Sequence, residues 1–139
     1  MSYAAAAALQ GAVYQALAEN DGLRALVGDA VYDAMPVAAP AGTYVALGPE
    51  DVREAGDISG AGSRHDFVVS VLSGSDDASG FAAVKGAAAA VSDALDGADL
   101  ALGRGHLVGL WFQRARARRV ENGAGRRIDL TFRARIDLA

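Results

Sequence analysis

The last forty residues constrain the fold most. Arginine alternates with alanine or larger apolar residues through Leu107–Glu121 and again through Arg126–Leu138, on either side of Asn122-Gly123-Ala124-Gly125. Side chains of a strand point to opposite faces in turn, so a period of two predicts strands. Asn-Gly between two such runs is a strong short-range signal for a hairpin. Arg114, Arg116 and Arg118 share one face of the first strand. Arg127, Asp129, Thr131, Arg133 and Arg135 share one face of the second, with Ile128, Leu130, Phe132, Ala134 and Ile136 behind them. Charge stays with charge only if the numbers of paired residues add to an odd value. A four-residue loop with Glu121 opposite Arg126 satisfies this, and so does a two-residue Asn122-Gly123 turn. A three-residue loop would put arginines beside core residues. The expected product is an amphipathic ribbon with Trp111, Ala115, Ala117, Leu130 and Phe132 on its apolar face. The arginine face then carries no aromatic, Phe112 excepted.

Upstream, Ala5, Leu9, Val13 and Leu17 recur every four residues and predict a helix over residues 4–19, ended by Asn20 and Gly22. A short helical turn with Leu23, Leu26 and Val27 follows. Ala30–Met35 and Thr43–Leu47 read as short strands, separated by Pro36 and Pro40. Gly48–Ser63 is polar, glycine-rich and without periodicity, and reads as a long loop. Arg64–Ser73 alternates, with His65, Phe67, Val69 and Val71 on one face. The turn Ser73–Asp77 supplies a cap for a helix from about Ser79 to Leu95, whose buried stripe is Phe81, Val84, Ala88, Val91 and Leu95. Leu100–Leu102 reads as the opening of a further strand. These elements describe an α+β domain spanning 1–139, an antiparallel sheet with a long C-terminal hairpin and two helices on one face.

A chain of 139 residues that is 52% apolar can bury one core. It contains no cysteine, which excludes disulfides and thiolate metal sites. No apolar run reaches the length of a membrane span, so no membrane role is expected, and the opening residues lack the basic region of a secretory signal. The net charge of −4 conceals a division. Residues 1–100 carry four bases against fourteen acids, a net of −10, and residues 101–139 carry nine against three, a net of +6. Such a chain can attract copies of itself, or pair its two parts within one fold.

No constellation of nucleophile, base and orienter can be assembled, so no enzyme is expected. His65 and Asp66 are neighbours in a strand and point to opposite faces. His106 is distant in sequence, and a metal site built from the two histidines has little support. Gly103-x-Gly105-x-x-x-Gly109 feeds a strand, whereas a dinucleotide fingerprint opens a helix. Neither a serine-nucleophile elbow nor a Walker sequence occurs, and no cofactor is implied. Two residue sets remain. Arg114, Arg116, Arg118, Arg127, Arg133 and Arg135 form a candidate subunit interface, since arginine binds carboxylates through its planar fork. The same face also suits phosphate contact or plain solvation. Glu50, Asp51, Arg53, Glu54 and Asp57, in the long loop, form a candidate assembly or lumen segment.

The start SYAAAAALQGAVYQAL, the stretch GDAVYDAMP, the segment TYVALGPEDVREAGDISGAGSRHDFVVSV and the end LVGLWFQRARARRVENGAGRRIDLTFRAR together resemble the tail-completion or tail-terminator family of tailed phages. The likeness is to its gene transfer agent branch in alphaproteobacteria and covers roughly residues 1–137. It implies an α+β subunit of a six-membered ring, made of copies of this chain, at the head-proximal end of the tail tube. Its other partners would be the major tail tube protein and a head-side stopper or connector protein, with DNA passing through the channel without specific binding. Assembly in the cytoplasm and release within the particle follow. The family has no cofactor or reaction, and the resemblance carries no contact residue over. A head-side stopper ring, and a nucleic-acid-binding module using the ribbon, are the alternatives.

Overall fold

A computed structural model describes residues 3–56, 60–75, 81–120 and 125–138. The element order is α1 (Ala6–Ala18), α2 (Asp21–Val27), β1 (Val31–Tyr32), β2 (Tyr44–Glu54), β3 (Gly62–Leu72), α3 (Phe81–Leu95), β4 (His106–Arg119) and β5 (Arg126–Asp137). The strands form one sheet in the order β1-β2-β3-β5-β4. Its ladders are antiparallel except for β1, which runs parallel to β2 through Val31 and Tyr32.

The helical layer forms where the apolar stripes require it. Leu9, Val13 and Leu17 of α1 are buried, together with Val84, Ala87, Ala88, Val91 and Leu95 of α3. They pack on the sheet face built from Val45, Leu47, Phe67, Val69, Val71, Ile128, Leu130, Phe132 and Ile136. Phe132 lies at the centre, 5.7 Å from the Phe67 ring and 5.9 Å from that of Phe112. No side chain caps α1, so its stability comes from that packing. The short helix α2 is capped instead. Asn20 Oδ1 accepts the Leu23 N–H at 2.9 Å, satisfying a donor the first turn would leave open. Gly28, at φ 62°, ends it in a conformation that a side chain disfavours.

Three expectations require correction. Most of the supposed loop at Gly48–Ser63 is strand: residues 48–54 belong to β2 and Gly62 and Ser63 to β3. A bulge between Leu47 and Glu50 shifts the register there. Beyond it, Glu50, Asp51, Arg53 and Glu54 are exposed. An edge segment lying outside the helical layer has no face to bury, so no apolar alternation announces it. Leu100–Leu102 opens no strand. Leu100 and Leu102 pack against the core from an irregular connection.

The third correction concerns the ribbon. From Arg119↔Arg126 to Arg114↔Thr131 the paired numbers add to an odd value, as the charge pattern requires. A bulge between Phe112 and Arg114 then makes the sum even, and a second between Leu107 and Gly109 makes it odd again. Each extra residue turns the strand over. Trp111 therefore stands opposite Arg133 on the charged face, and Phe112 stands opposite Phe132 on the apolar one. Of the expected turn Asn122-Gly123-Ala124-Gly125, all but Gly125 lies outside the described residues, as do Asp76, Asp77 and Ser79 of the expected helix cap.

Candidate functional site

The sheet face away from the helices collects the charges. The central strands β3 and β5 bring Asp66 beside Arg133 and Ser70 beside Asp129. Arg133 grips Asp66 as a fork, Nε to Oδ1 at 2.8 Å and Nη2 to Oδ2 at 3.3 Å. Arg64 Nε lies 3.7 Å from the same carboxylate. Asp129 accepts from Ser70 Oγ at 2.6 Å and from Arg127 Nε at 2.9 Å, with Arg118 Nη2 at 3.5 Å. Arg135 donates to the carbonyl of Ala55.

These contacts set the protonation states. The Arg133 hydrogen bond holds the Asp66 carboxyl below its ordinary range, against the opposing effect of burial. Burial raises Asp129, but hydrogen bonds from Ser70 and Arg127 outweigh it and the carboxyl is lowered on balance. Four of the six candidate interface arginines, Arg118, Arg127, Arg133 and Arg135, are thus engaged within the chain. The ion pair of Arg133 with Asp66 joins the basic part of the sequence to the acidic part.

Arg114 and Arg116 differ. Both are exposed on β4, and neither has a carboxylate partner among the described residues. Arg119, at the same strand's end, is likewise exposed. Trp111 joins Arg114 and Arg116 on this face, whereas Arg119 pairs with Arg126 and points to the other. Trp111 is 44% exposed, its indole folded over Gly109, where a Cβ would collide with it. Sequence reasoning missed this aromatic because it assumed unbroken alternation. The signal was available, since Gln113 and Arg114 are consecutive polar residues and break the phase at the bulge.

Glu50, Asp51, Arg53 and Glu54 lie at the opposite side of the sheet, on β2. The Tyr3 hydroxyl donates to Glu50 Oε1 at 2.6 Å, which holds the phenol above its ordinary value. Arg53 Nη2 is 3.5 Å from Asp51 Oδ2, with both side chains mostly in solvent. Asp57 lies outside the described residues. The two sets are therefore only partly separated within one subunit. Arg114, Arg116 and Arg118 lie on the far margin, β4, whereas Arg127, Arg133 and Arg135 stand on the central strand β5 and Arg135 reaches the Ala55 carbonyl beside Glu54.

Two concave surfaces accompany these margins. One, of about 230 Å³, lies between α1 and β2 and is lined by Leu9, Val13, Leu47, Pro49 and Phe67 among others. The other is an open groove of about 290 Å³ between α3 and β4, floored by Phe112, Ala115, Ala117, Ile128 and Leu130. Neither converges on a catalytic group. His65 is fully buried with Nε2 2.8 Å from Ser63 Oγ, and burial lowers its pKa, favouring the neutral ring. Among the described residues no group of three or more histidines or carboxylates could hold a metal, and no helix is long and apolar enough to cross a membrane.

Comparison with known proteins gives this arrangement a context. The family model of tail completion protein gp17 matches residues 11–137. A chain from a solved structure described as the virion of a native gene transfer agent particle superposes with a TM-score of 0.89. It is 65% identical, over 98% of this chain and 99% of that one. No curated protein matches. A family match over nearly the whole length and a nearly full-length structural counterpart lead to one assignment: the chain belongs to the tail completion protein gp17 family, phage-type tail-completion proteins of the gene transfer agent kind.

Proposed function

We propose that this structural tail-completion protein forms a ring, of six copies, on the head-proximal end of a tail tube. The ring stops tube growth, offers its other side to the head connector and leaves a channel through which DNA passes. The protein performs no reaction. It assembles in the cytoplasm and leaves within the particle. The observation that carries this reading is the 65% identity to a virion chain over almost the full length of both. Agreement that extends to both ends of the domain supports the same station in a similar particle.

The charge distribution adds a physical reason. A closed ring needs a heterologous contact, in which one surface of a subunit meets a different surface of the next. Arg114 and Arg116 are the candidate arginines left for such a contact. Arg118, Arg127, Arg133 and Arg135 serve the fold.

Electron microscopy of particles from a producing host that lacks this protein tests the proposal. Overlong tubes, or finished heads and tails that fail to join, are the expected result. Tails of normal length, joined and able to deliver DNA, would refute it. A head-side stopper predicts instead that the protein binds the portal assembly and not the isolated tube protein. The presence of Trp111 beside the arginines favours a further reading, direct nucleic-acid contact by the ribbon. That reading predicts DNA affinity that falls steeply with salt.

A further inference from the structure

Both margins of the sheet end in open strands. On one side β4 has β5 as its only strand neighbour among the described residues. Its other edge is met at Leu110, whose carbonyl accepts from Gly97 N–H, and at Phe112, whose N–H donates to Asp96 Oδ1, and carries no further strand along residues 114–119. On the other side β1 is two residues long and covers only Val45 and Ala46 of β2. Beyond the bulge at Gly48 and Pro49, β2 has no strand on its outer side among the described residues. Residues 112–119 of β4 and 48–51 of β2 are all exposed, and the helices α3 and α1 border them only across open grooves.

Long open strands are templates for further strands, and natural proteins blunt them or use them. Here the two are opposite in charge. Residues 114–119 of β4 read RARARR, and residues 50–54 of β2 read EDVRE. Two β4 edges meeting would set arginines against arginines, whereas two β2 edges paired about Val52 would set Glu50 against Glu54 but Asp51 against Arg53. Like charges directly opposed across strands are destabilising. A two-fold dimer through the β4 margin is therefore disfavoured, and pairing of that margin with the net-acidic β2 margin is favoured. Each margin also has apolar surface for a neighbour to cover, the groove beneath Phe112, Ala115 and Ala117 on one and the hollow behind Leu47 and Pro49 on the other.

We infer that the partner of each margin is a second copy of this chain, with the β4 edge of one subunit laid along the β2 edge of the next. This rests on the ring reading above and specifies its contact. Because the two edges differ, the contact is head-to-tail and propagates around a ring. It also moves the acidic segment from a channel-lining loop into the seam between subunits. The ladder is short by construction. Pro49 has no N–H to donate on one strand, and the bulge at Gln113 interrupts the other. A ladder of four to six residues is marginal alone, so subunits associate weakly in solution and firmly on a template.

The chain has no cysteine, which makes a mixing experiment clean. Two full-length chains distinguishable by mass, one Arg116→Cys and one Asp51→Cys, are co-expressed in a host making particles. Purified particles are treated with a short bismaleimide. The inference predicts mixed adducts in more than tenfold excess over either homodimeric adduct. Homodimeric adducts in equal or greater amount, or no adduct in particles containing both chains, would overturn it. If neither variant enters particles, charge reversal decides: Arg116→Glu should block incorporation, and Asp51→Arg in the same chain should restore it. Failure of that restoration would overturn the seam. The ring reading is judged separately by tail length in the host lacking the protein, so either idea can fail alone.

Discussion

β4 and β5 are built from similar alternating sequences and meet different fates. β5 runs between β3 and β4, and its residues alternate between buried and half-buried almost to the end. Its arginines 127, 133 and 135 all find acceptors on the chain. β4 runs at the margin, and from Trp111 to Arg119 every residue is exposed. Its arginines 114 and 116 find no carboxylate among the described residues. The arginines of the central strand are all structural, those of the marginal strand only at Arg118, which reaches Asp129, and the local sequence does not distinguish them. The central strand uses its charges for internal cohesion, and the marginal strand presents Arg114 and Arg116 outward.

Core truncation should give the widest separation between the strands. Phe132→Ala on β5 removes a fully buried ring and should cost about 3–5 kcal/mol in chemical unfolding. Phe112→Ala on β4, 38% exposed, should cost roughly 1 kcal/mol, in line with partial burial. Equal losses would break the comparison. Next in size is the fork. Arg133→Ala leaves Asp66 with the more distant Arg64 and should lower stability by clearly less than Phe132→Ala does, since the pair is partly solvated.

That cost should depend on pH. The folded Asp66 carboxyl is held below its ordinary value of 3.8. A depressed folded pKa contributes stability that is full above the unfolded value and lost as pH falls through the folded one. The difference between parent and Arg133→Ala should therefore be largest near neutrality and shrink below pH 3.8. Urea unfolding at both pH values checks this, and an unchanged difference would remove Asp66 from the explanation. The smallest effect belongs to β4. Arg116→Ala should leave stability within about 0.5 kcal/mol of the parent, as for a surface side chain without a partner.

How much of this was legible beforehand also follows the margins. The stripes Leu9-Val13-Leu17 and Val84-Ala88-Val91-Leu95 and the alternation of β3 and β5 were readable because each element buries one face against a single core. Burial imposes the periodicity that a reader detects. Gly48–Glu54 was not readable, since an exposed strand edge imposes none. Trp111 was misplaced for a different reason: one inserted residue, Gln113, reverses every assignment upstream of it until a second bulge restores the phase. Among the candidate residues, charge located the arginine face correctly. It could not separate Arg133, which meets Asp66 across 67 positions of sequence, from Arg116, which meets no carboxylate among the described residues.

The proposed assembly role falls to Arg114 and Arg116 of the marginal strand, not to the arginines that serve the fold. The most direct test is the doubly reversed chain, Arg114→Glu with Arg116→Glu, assessed for both properties at once. Its thermal unfolding midpoint should match the parent, while tails in a host making only this version should be overlong or unjoined to heads. Complete, joined particles carrying the reversed protein would contradict the account.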